Sequence, residues 1–172
     1  MRRVVLTGSE CTGKSTAAAA VAARMGVPWV PEASRTYAEA KGAPLTLSDV
    51  APIARAHVRA VEEAERSAPD LLILDTDLIS TVLYSRHYYG RCPRWVEREA
   101  RARLADLYLL HLPDLPWRPD PSRDRGHLRA ELHALFVATL REYAATVVEI
   151  VGAGPGRVER ALSAVRALDA RI

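Results

Sequence analysis

An apolar, β-branched run, Arg3-Val4-Val5-Leu6-Thr7, passes without a break into Gly8-Ser9-Glu10-Cys11-Thr12-Gly13-Lys14-Ser15, and an alanine-rich segment, Ala17 to Arg24, follows at once. A strand, a glycine-bounded loop and a helix in that order leave little choice of fold. The glycines let the backbone curl so that successive N–H groups face one point, and the helix opening at Gly13 adds the positive end of its dipole there. Such a cradle takes an anion. Lys14 supplies a point charge for the β- and γ-phosphates of a nucleotide, and Ser15 can offer its hydroxyl to the Mg²⁺ that bridges them, with Thr16 beside it. The pattern therefore assigns ATP binding to Gly8, Ser9, Glu10, Cys11, Thr12, Gly13, Lys14, Ser15 and Thr16.

The alternative is an ordinary glycine-containing turn with a solvated lysine, and composition argues against it. Arginine carries nearly all the positive charge, and lysine occurs only twice in 172 residues, as Lys14 and Lys41. One of them occupies the single slot of the motif that demands it.

The chain is long enough to bury a sizeable core and short for two full domains, so one domain spanning residues 1–172 is expected. A formal charge of +3 is compatible with nucleic acid, but the arginines are scattered among acidic residues and form no basic run. A phosphate-handling enzyme explains them equally well, and no nucleic-acid partner is expected. The two cysteines, Cys11 and Cys92, have neither metal-ligand spacing nor a disulfide framework and suit a reducing compartment. No signal-peptide pattern and no stretch of membrane-crossing length is present, so a cytoplasmic location without membrane contact is expected. The sequence carries no sign of oligomeric state.

Short apolar runs alternate with helical segments along the chain, the pattern of an α/β fold with a parallel sheet and crossover helices. Five strands are expected at Arg3 to Thr7, Pro28 to Pro31, Leu71 to Leu74, Leu107 to His111 and Val147 to Val151. With the phosphate loop after the first strand, the expected fold is a three-layer P-loop sandwich with a mostly parallel sheet in the order 2-3-1-4-5. Helices are expected at Lys14 to Arg24, from about Ser34, at Ser48 to Arg66 with Ser48 as N-cap, and at Leu78 to Tyr89. Further helices are expected at Pro93 to Ala105, His127 to Ala144 and Arg157 to Ala170. The proline-rich stretch after Leu112 cannot be regular, and residues 113–127 read as a lid.

In open α/β sheets ligands gather outside the carboxyl ends of the strands, so the residues just after each strand are the candidates for chemistry. After the second strand come Glu32 and Arg35, a carboxylate and a guanidinium about one helical turn apart. Glu32 could accept or orient the proton of an attacking hydroxyl, and Arg35 could hold substrate, unless the pair is only a helix-start acid and a solvated arginine. The third strand runs into Asp75-Thr76-Asp77, a hydrophobic run ending in acid, as expected of the carboxylate that positions Mg²⁺. Asp75 and Asp77 project to one side if the extension persists, with one holding a metal-bound water and the other gripping sugar hydroxyls. Alternatively, Asp77 simply caps the helix from Leu78.

The lid carries Trp117, Arg118, Asp120, Arg123, Asp124 and Arg125. Arg123 and Arg125 could close over the γ-phosphate as cis arginine fingers do, and Trp117 could stack on a flat ring, or the loop is a solvated one with a packing tryptophan. His111 and His127 read as structural, and Tyr84, Tyr88 and Tyr89 as helix packing. The turn from Gly152 to Arg157 lies where backbone could approach an adenine, with Arg157 either beside the nucleotide or in solvent.

Taken together, Thr7 to Thr16, Val30-Pro31-Glu32-Ala33-Ser34-Arg35, Asp75-Thr76-Asp77 and Leu109-Leu110-His111-Leu112-Pro113-Asp114-Leu115-Pro116-Trp117 resemble the ribosylnicotinamide kinase domain of NadR-type NAD-biosynthesis proteins. The resemblance covers nearly the whole chain, and its Pro-Glu-x-x-Arg and Pro-Asp-x-Pro-Trp stretches discriminate more than the phosphate loop does. It implies transfer of the ATP γ-phosphate to the 5′-hydroxyl of nicotinamide riboside, with Mg²⁺ as cofactor, giving nicotinamide mononucleotide. By position, it implies that Lys14, Ser15 and Thr16 hold ATP and metal, and that Glu32 and Arg35 face the substrate. Asp75 would serve the hydroxyl or metal, Trp117 would approach the nicotinamide, and Arg123 and Arg125 would form the lid.

Two departures stand out. There is no room here for the adenylyltransferase or helix-turn-helix found in larger family members, so transcriptional regulation is not expected. The lid reads Arg118-Pro119-Asp120-Pro121-Ser122-Arg123 where similar kinases carry an Asp-Gly-x-Arg-like stretch, so no role is carried over to Asp120. The competing functions are another nucleoside or nucleotide kinase of the same fold and a regulatory P-loop NTPase. The aromatic Trp117 favours a flat cationic base.

Overall fold

The computed structural model describes residues 1–67, 70–116 and 128–169. Within them, β1 (Arg2–Thr7), β2 (Trp29–Val30), β3 (Leu71–Asp75), β4 (Leu107–His111) and β5 (Val147–Ile150) form one sheet in the order β2-β3-β1-β4-β5. The expected order holds, and every pairing is parallel. Parallel neighbours need crossovers, which the helices supply. They are α1 (Lys14–Met25), α2 (Ala33–Lys41), α3 (Leu47–Ser67), α4 (Leu78–Tyr89), α5 (Arg94–Ala102), α6 (Arg129–Glu142) and α7 (Gly154–Asp169).

The central strands are apolar on both faces because both faces are covered. Val4, Leu6, Leu71, Ile73, Leu107 and Leu109 pack with Ala17, Ala18, Val21 and Ala22 of α1 and Leu162 and Val165 of α7. Val5, Leu72, Leu74, Tyr108 and Leu110 face the other way, onto Val61 of α3, Ile79 and Val82 of α4, Val96 of α5 and Phe136 of α6. This period-two alternation decides where the polar strand ends go. Asp75 and His111 continue the odd-numbered set of their strands, toward α1 and α7.

Helix bounds shift by a residue or more from expectation, and two starts have a clear local cause. α3 begins at Leu47, and its capping residue is Thr46, whose N–H donates to Asp49 Oδ2 at 2.7 Å while the Asp49 N–H returns to the Thr46 carbonyl at 3.0 Å. The Thr46 hydroxyl also donates to Asp49 Oδ2, at 2.8 Å, so the carboxylate draws the helix start back to Thr46 and places Ser48 inside the first turn. α7 begins at Gly154, a turn earlier than Arg157, because Pro155 sits where the first helical position tolerates it.

Candidate active site

Gly8 and Gly13 bound the loop for different steric reasons. At Gly8, with φ +128°, a Cβ would lie 2.6 Å from the His111 carbonyl oxygen of the neighbouring strand. Gly13 adopts the left-handed conformation, φ +75°, as the N-cap of α1, under the side chain of Leu115. Cys11 is also left-handed, φ +53°, and completes the curl. The Ser9 carbonyl gathers two donors, Lys14 Nζ at 2.8 Å and Thr12 Oγ1 at 2.9 Å. Lys14 is thereby folded back over the loop. Glu10 and Cys11 are half-buried, and Thr16 is exposed on the first turn of α1.

Asp75 is buried at the end of β3, close to the Ser15 hydroxyl, which favours its charged form. Burial holds its carboxyl above the usual range; Glu32 pushes in the same direction, and Lys14 and Arg35 push against it. Lys14, Ser15, Glu32 and Arg35 thus all lie near enough to act on Asp75. Glu32 precedes α2, where Oε1 accepts from Ser34 Oγ at 2.9 Å and Oε2 pairs with Arg35 Nη2 at 3.3 Å. Arg35 keeps 42% of its side chain exposed, enough to meet a second molecule.

Asp77 does not join this group, which corrects the expectation that it grips substrate. Thr76 has φ +66°, so the extension breaks there and Asp77 turns to the opposite face of the sheet. Its Oδ1 accepts from the Ile79 N–H at 3.0 Å, capping α4, and its Oδ2 accepts from the Tyr108 hydroxyl at 2.7 Å. Both oxygens are satisfied by the protein in a residue only 8% exposed. Burial still pushes its carboxyl up to about 6.

Arg157 is neither in solvent nor open to a base: it is 2% exposed. Its Nη1 donates to the Thr12 carbonyl at 2.8 Å, its Nε to the Gly152 carbonyl at 2.5 Å, and both Nη atoms to the Leu112 carbonyl at 3.3 Å. Its Nη2 also pairs with Asp114 Oδ1, whose other oxygen accepts from the Gly152 N–H at 2.6 Å. The guanidinium thus braces the loop from behind. His111 lies in the same cluster, fully buried, and burial lowers it to about 3, so the ring is neutral, as a structural histidine should be. The expectations for Trp117, Arg123 and Arg125, and for most of the lid, lie outside the described residues.

A family model described as "AAA domain" matches residues 3–159. The chain belongs to this AAA domain family. The trifunctional NAD biosynthesis/regulator protein NadR of Escherichia coli (strain K12) is 29% identical over 148 residues, and its Salmonella typhimurium counterpart is 28% identical over the same length. Each alignment covers 83% of this AAA domain chain and 36% of the relative, so the chain spans about a third of the length of the curated relatives it matches. The NadR resemblance carried by the four motifs is therefore borne out as homology. A crystal structure of NadR protein in complex with NR superposes with a TM-score of 0.78 at 23% identity, over 96% of this chain and 50% of that one. Thymidylate kinase from Ehrlichia chaffeensis superposes with a TM-score of 0.66 at 12% identity, over 97% of both chains. The fold is that of P-loop kinases.

Two roles in this AAA domain are not legible in its sequence. Arg129, at the start of α6, donates to the Leu115 carbonyl at 2.8 Å and to the Cys11 carbonyl at 3.4 Å, so it reaches the phosphate loop itself. Asp114 anchors Arg157. Nothing local marks Arg129, and the Pro-Asp-x-Pro-Trp stretch marks Asp114 without its partner, since both partnerships join segments far apart in sequence. The donor set also fits Mg²⁺: Asp75 Oδ1 is buried without a partner among the described residues, beside the Ser15 hydroxyl. Hard oxygen donors in that number suit an ion that keeps several waters and phosphate oxygens.

Proposed function

We propose that this chain is an ATP-dependent kinase, a single domain over residues 1–172, that phosphorylates the 5′-hydroxyl of nicotinamide riboside to give nicotinamide mononucleotide. The observation carrying this reading is that Glu32 and Arg35 adjoin the Ser15–Asp75 pair, so phosphate-holding and acceptor-holding groups share one rim. Homology to NadR supports the choice of acceptor. Work in the cytoplasm as part of NAD salvage accords with it, and no helix among the described residues is long and apolar enough to cross a membrane.

The cradle from Gly8 to Ser15 binds the ATP phosphates through its N–H groups, and Lys14 leaves the Ser9 carbonyl for the β- and γ-phosphates. Mg²⁺, when bound, neutralises charge on the phosphate oxygens; Ser15 would ligate it and Asp75 would hold one of its waters. Glu32 orients the ribose hydroxyl and takes its proton, Arg35 holds the acceptor, and Trp117 stacks on the pyridinium ring. Arg123 and Arg125 cover the transferring group. Phosphoryl transfer asks little covalent help of a protein, so positioning and charge neutralisation supply most of the acceleration.

The rival reading is a kinase for another nucleoside or nucleotide, favoured by the end-to-end match with thymidylate kinase. Purified protein incubated with ATP, Mg²⁺ and a panel of nucleosides, scored by ADP release and product mass, separates them. Nicotinamide riboside should be the preferred acceptor; phosphorylation of thymidine or adenosine without it would reject the proposal.

A further inference from the structure

The Thr12–Gly13 peptide lies at the turn of the phosphate loop, and its carbonyl is held at 2.8 Å by Arg157, on the buried side toward α7. A trans peptide is planar, so its carbonyl and its N–H point in opposite directions. Fixing the Thr12 carbonyl inward therefore fixes the Gly13 N–H outward, into the cradle. We infer that Arg157 is a positioning residue of the phosphate site, which aims the Gly13 N–H at the nucleotide's phosphates and touches neither base nor phosphate itself.

The guanidinium has the anchorage this role requires. Asp114, with 34% of its side chain exposed, holds Nη2 and the Gly152 N–H together, and the Leu112 and Gly152 carbonyls take further donors. Five segments, the loop, the end of β4, the residues after it, the turn after β5 and α7, thus meet at one side chain. His111 Nδ1 lies 3.3 Å from Arg157 Nη1. The same Nδ1 lies 3.3 Å from the Thr12 carbonyl oxygen, so the neutral imidazole packs against both members of the Arg157–Thr12 pair and adds a contact without adding charge. The preorganised anion cradle is what such bracing protects, because donors that must reorient on binding lose most of their value.

This inference rests on the reading of Gly8 to Ser15 as a phosphate site, and the test keeps the two apart. Affinity for ATP and for inorganic tripolyphosphate, which has no base, is measured by calorimetry on the wild type and on Arg157→Ala, Arg157→Lys, Asp114→Asn and Lys14→Ala. Arg157→Ala should weaken both ligands by about the same factor, roughly tenfold, the order of one charged hydrogen bond. Arg157→Lys, which can still donate to Thr12, should recover part of it. Asp114→Asn, nearly isosteric, should show a smaller loss of the same kind and carries the test if Arg157→Ala does not fold. The KM for the nucleoside acceptor should stay unchanged in the folded variants.

A loss for ATP with tripolyphosphate unaffected would overturn the inference, since it would place Arg157 on the base side. Unchanged affinity for both ligands in the Arg157 and Asp114 variants would overturn it as well. If Lys14→Ala also binds both ligands like the wild type, the phosphate-site reading falls with it; if only the Arg157 and Asp114 variants are silent, the inference falls alone.

Discussion

On the phosphate side of the rim, the loop is curled by Gly8, which admits no Cβ, and by the left-handed Gly13, closed on its own Ser9 carbonyl and pinned from behind by an arginine that is 2% exposed. On the acceptor side, Glu32 caps α2 and Arg35 sits on it, a helix of nine residues none of which is buried. It follows β2, a strand of two residues, and is tied to Asp49 of α3 through the polar side chains of Tyr37 and Lys41. The contrast follows the chemistry. Polyphosphate presents the same charge and shape in every nucleoside triphosphate, so a rigid complementary cradle serves it best. Acceptors differ, and a lightly anchored helix can be retuned without disturbing the core.

Lys14→Ala strikes the rigid half where charge develops in transfer, and turnover should fall on the order of a thousandfold, the upper range for removing one electrostatic donor. The variant should melt close to the wild type, because the ammonium's bond to the Ser9 carbonyl lies on the half-buried surface of the loop rather than in the core. Near-normal kcat in a coupled ADP-release assay would end the claim that this loop holds the donor.

Asp75→Asn comes next. A carboxylate that acts through a metal-bound water typically costs about 10- to 100-fold when removed. Activity should also require more Mg²⁺ for half-saturation, while acceptor KM stays put. A variant with raised acceptor KM and an ordinary Mg²⁺ requirement would move Asp75 from the metal to the substrate.

On the lightly anchored half, Arg35→Ala should cost about tenfold in kcat/KM for the acceptor, within the range for a charged hydrogen bond, with ATP KM unchanged. Its stability should hardly move, since the Glu32 pair it breaks is partly exposed. An ATP-specific defect would erase the contrast between the halves.

Much of this layout is legible in the chain because parallel strands covered on both faces appear as unbroken apolar runs, and a phosphate cradle needs glycines at fixed offsets. Leu71 to Leu74 and Leu107 to Leu110 show the first, Gly8 and Gly13 the second. What escapes depends on one dihedral or on distant partners. Asp77 shares its spacing from Asp75 with any pair of same-side strand residues, and only the positive φ of Thr76 sends it away. Arg157 looks like any helix-start arginine until Asp114 and Thr12 are folded against it. Ser48 competes with Thr46 as a cap on equal terms, and Asp49 decides for Thr46 by reaching back to its N–H.

The smallest expected effect concerns the acid that turned out to lie outside both halves. Asp77 has a folded-state carboxyl raised to about 6, from an ordinary value of 3.8, with burial as the largest cause. A raised value means that the folded state binds this proton more readily than the unfolded chain does. Its contribution to stability is therefore fully present below pH 3.8 and is lost as pH rises through about 6. Asp77→Asn keeps an acceptor for the Ile79 N–H and removes the titration, so the difference in Tm between variant and wild type should depend on pH across that window and level off above it. Asp49 and Glu142, whose carboxyls are lowered by their hydrogen-bonded cations, contribute with the opposite sign in both proteins and cancel from the difference. Acceptor KM should be unchanged. If the variant instead raised acceptor KM with a flat Tm difference, Asp77 would belong to the acceptor half after all.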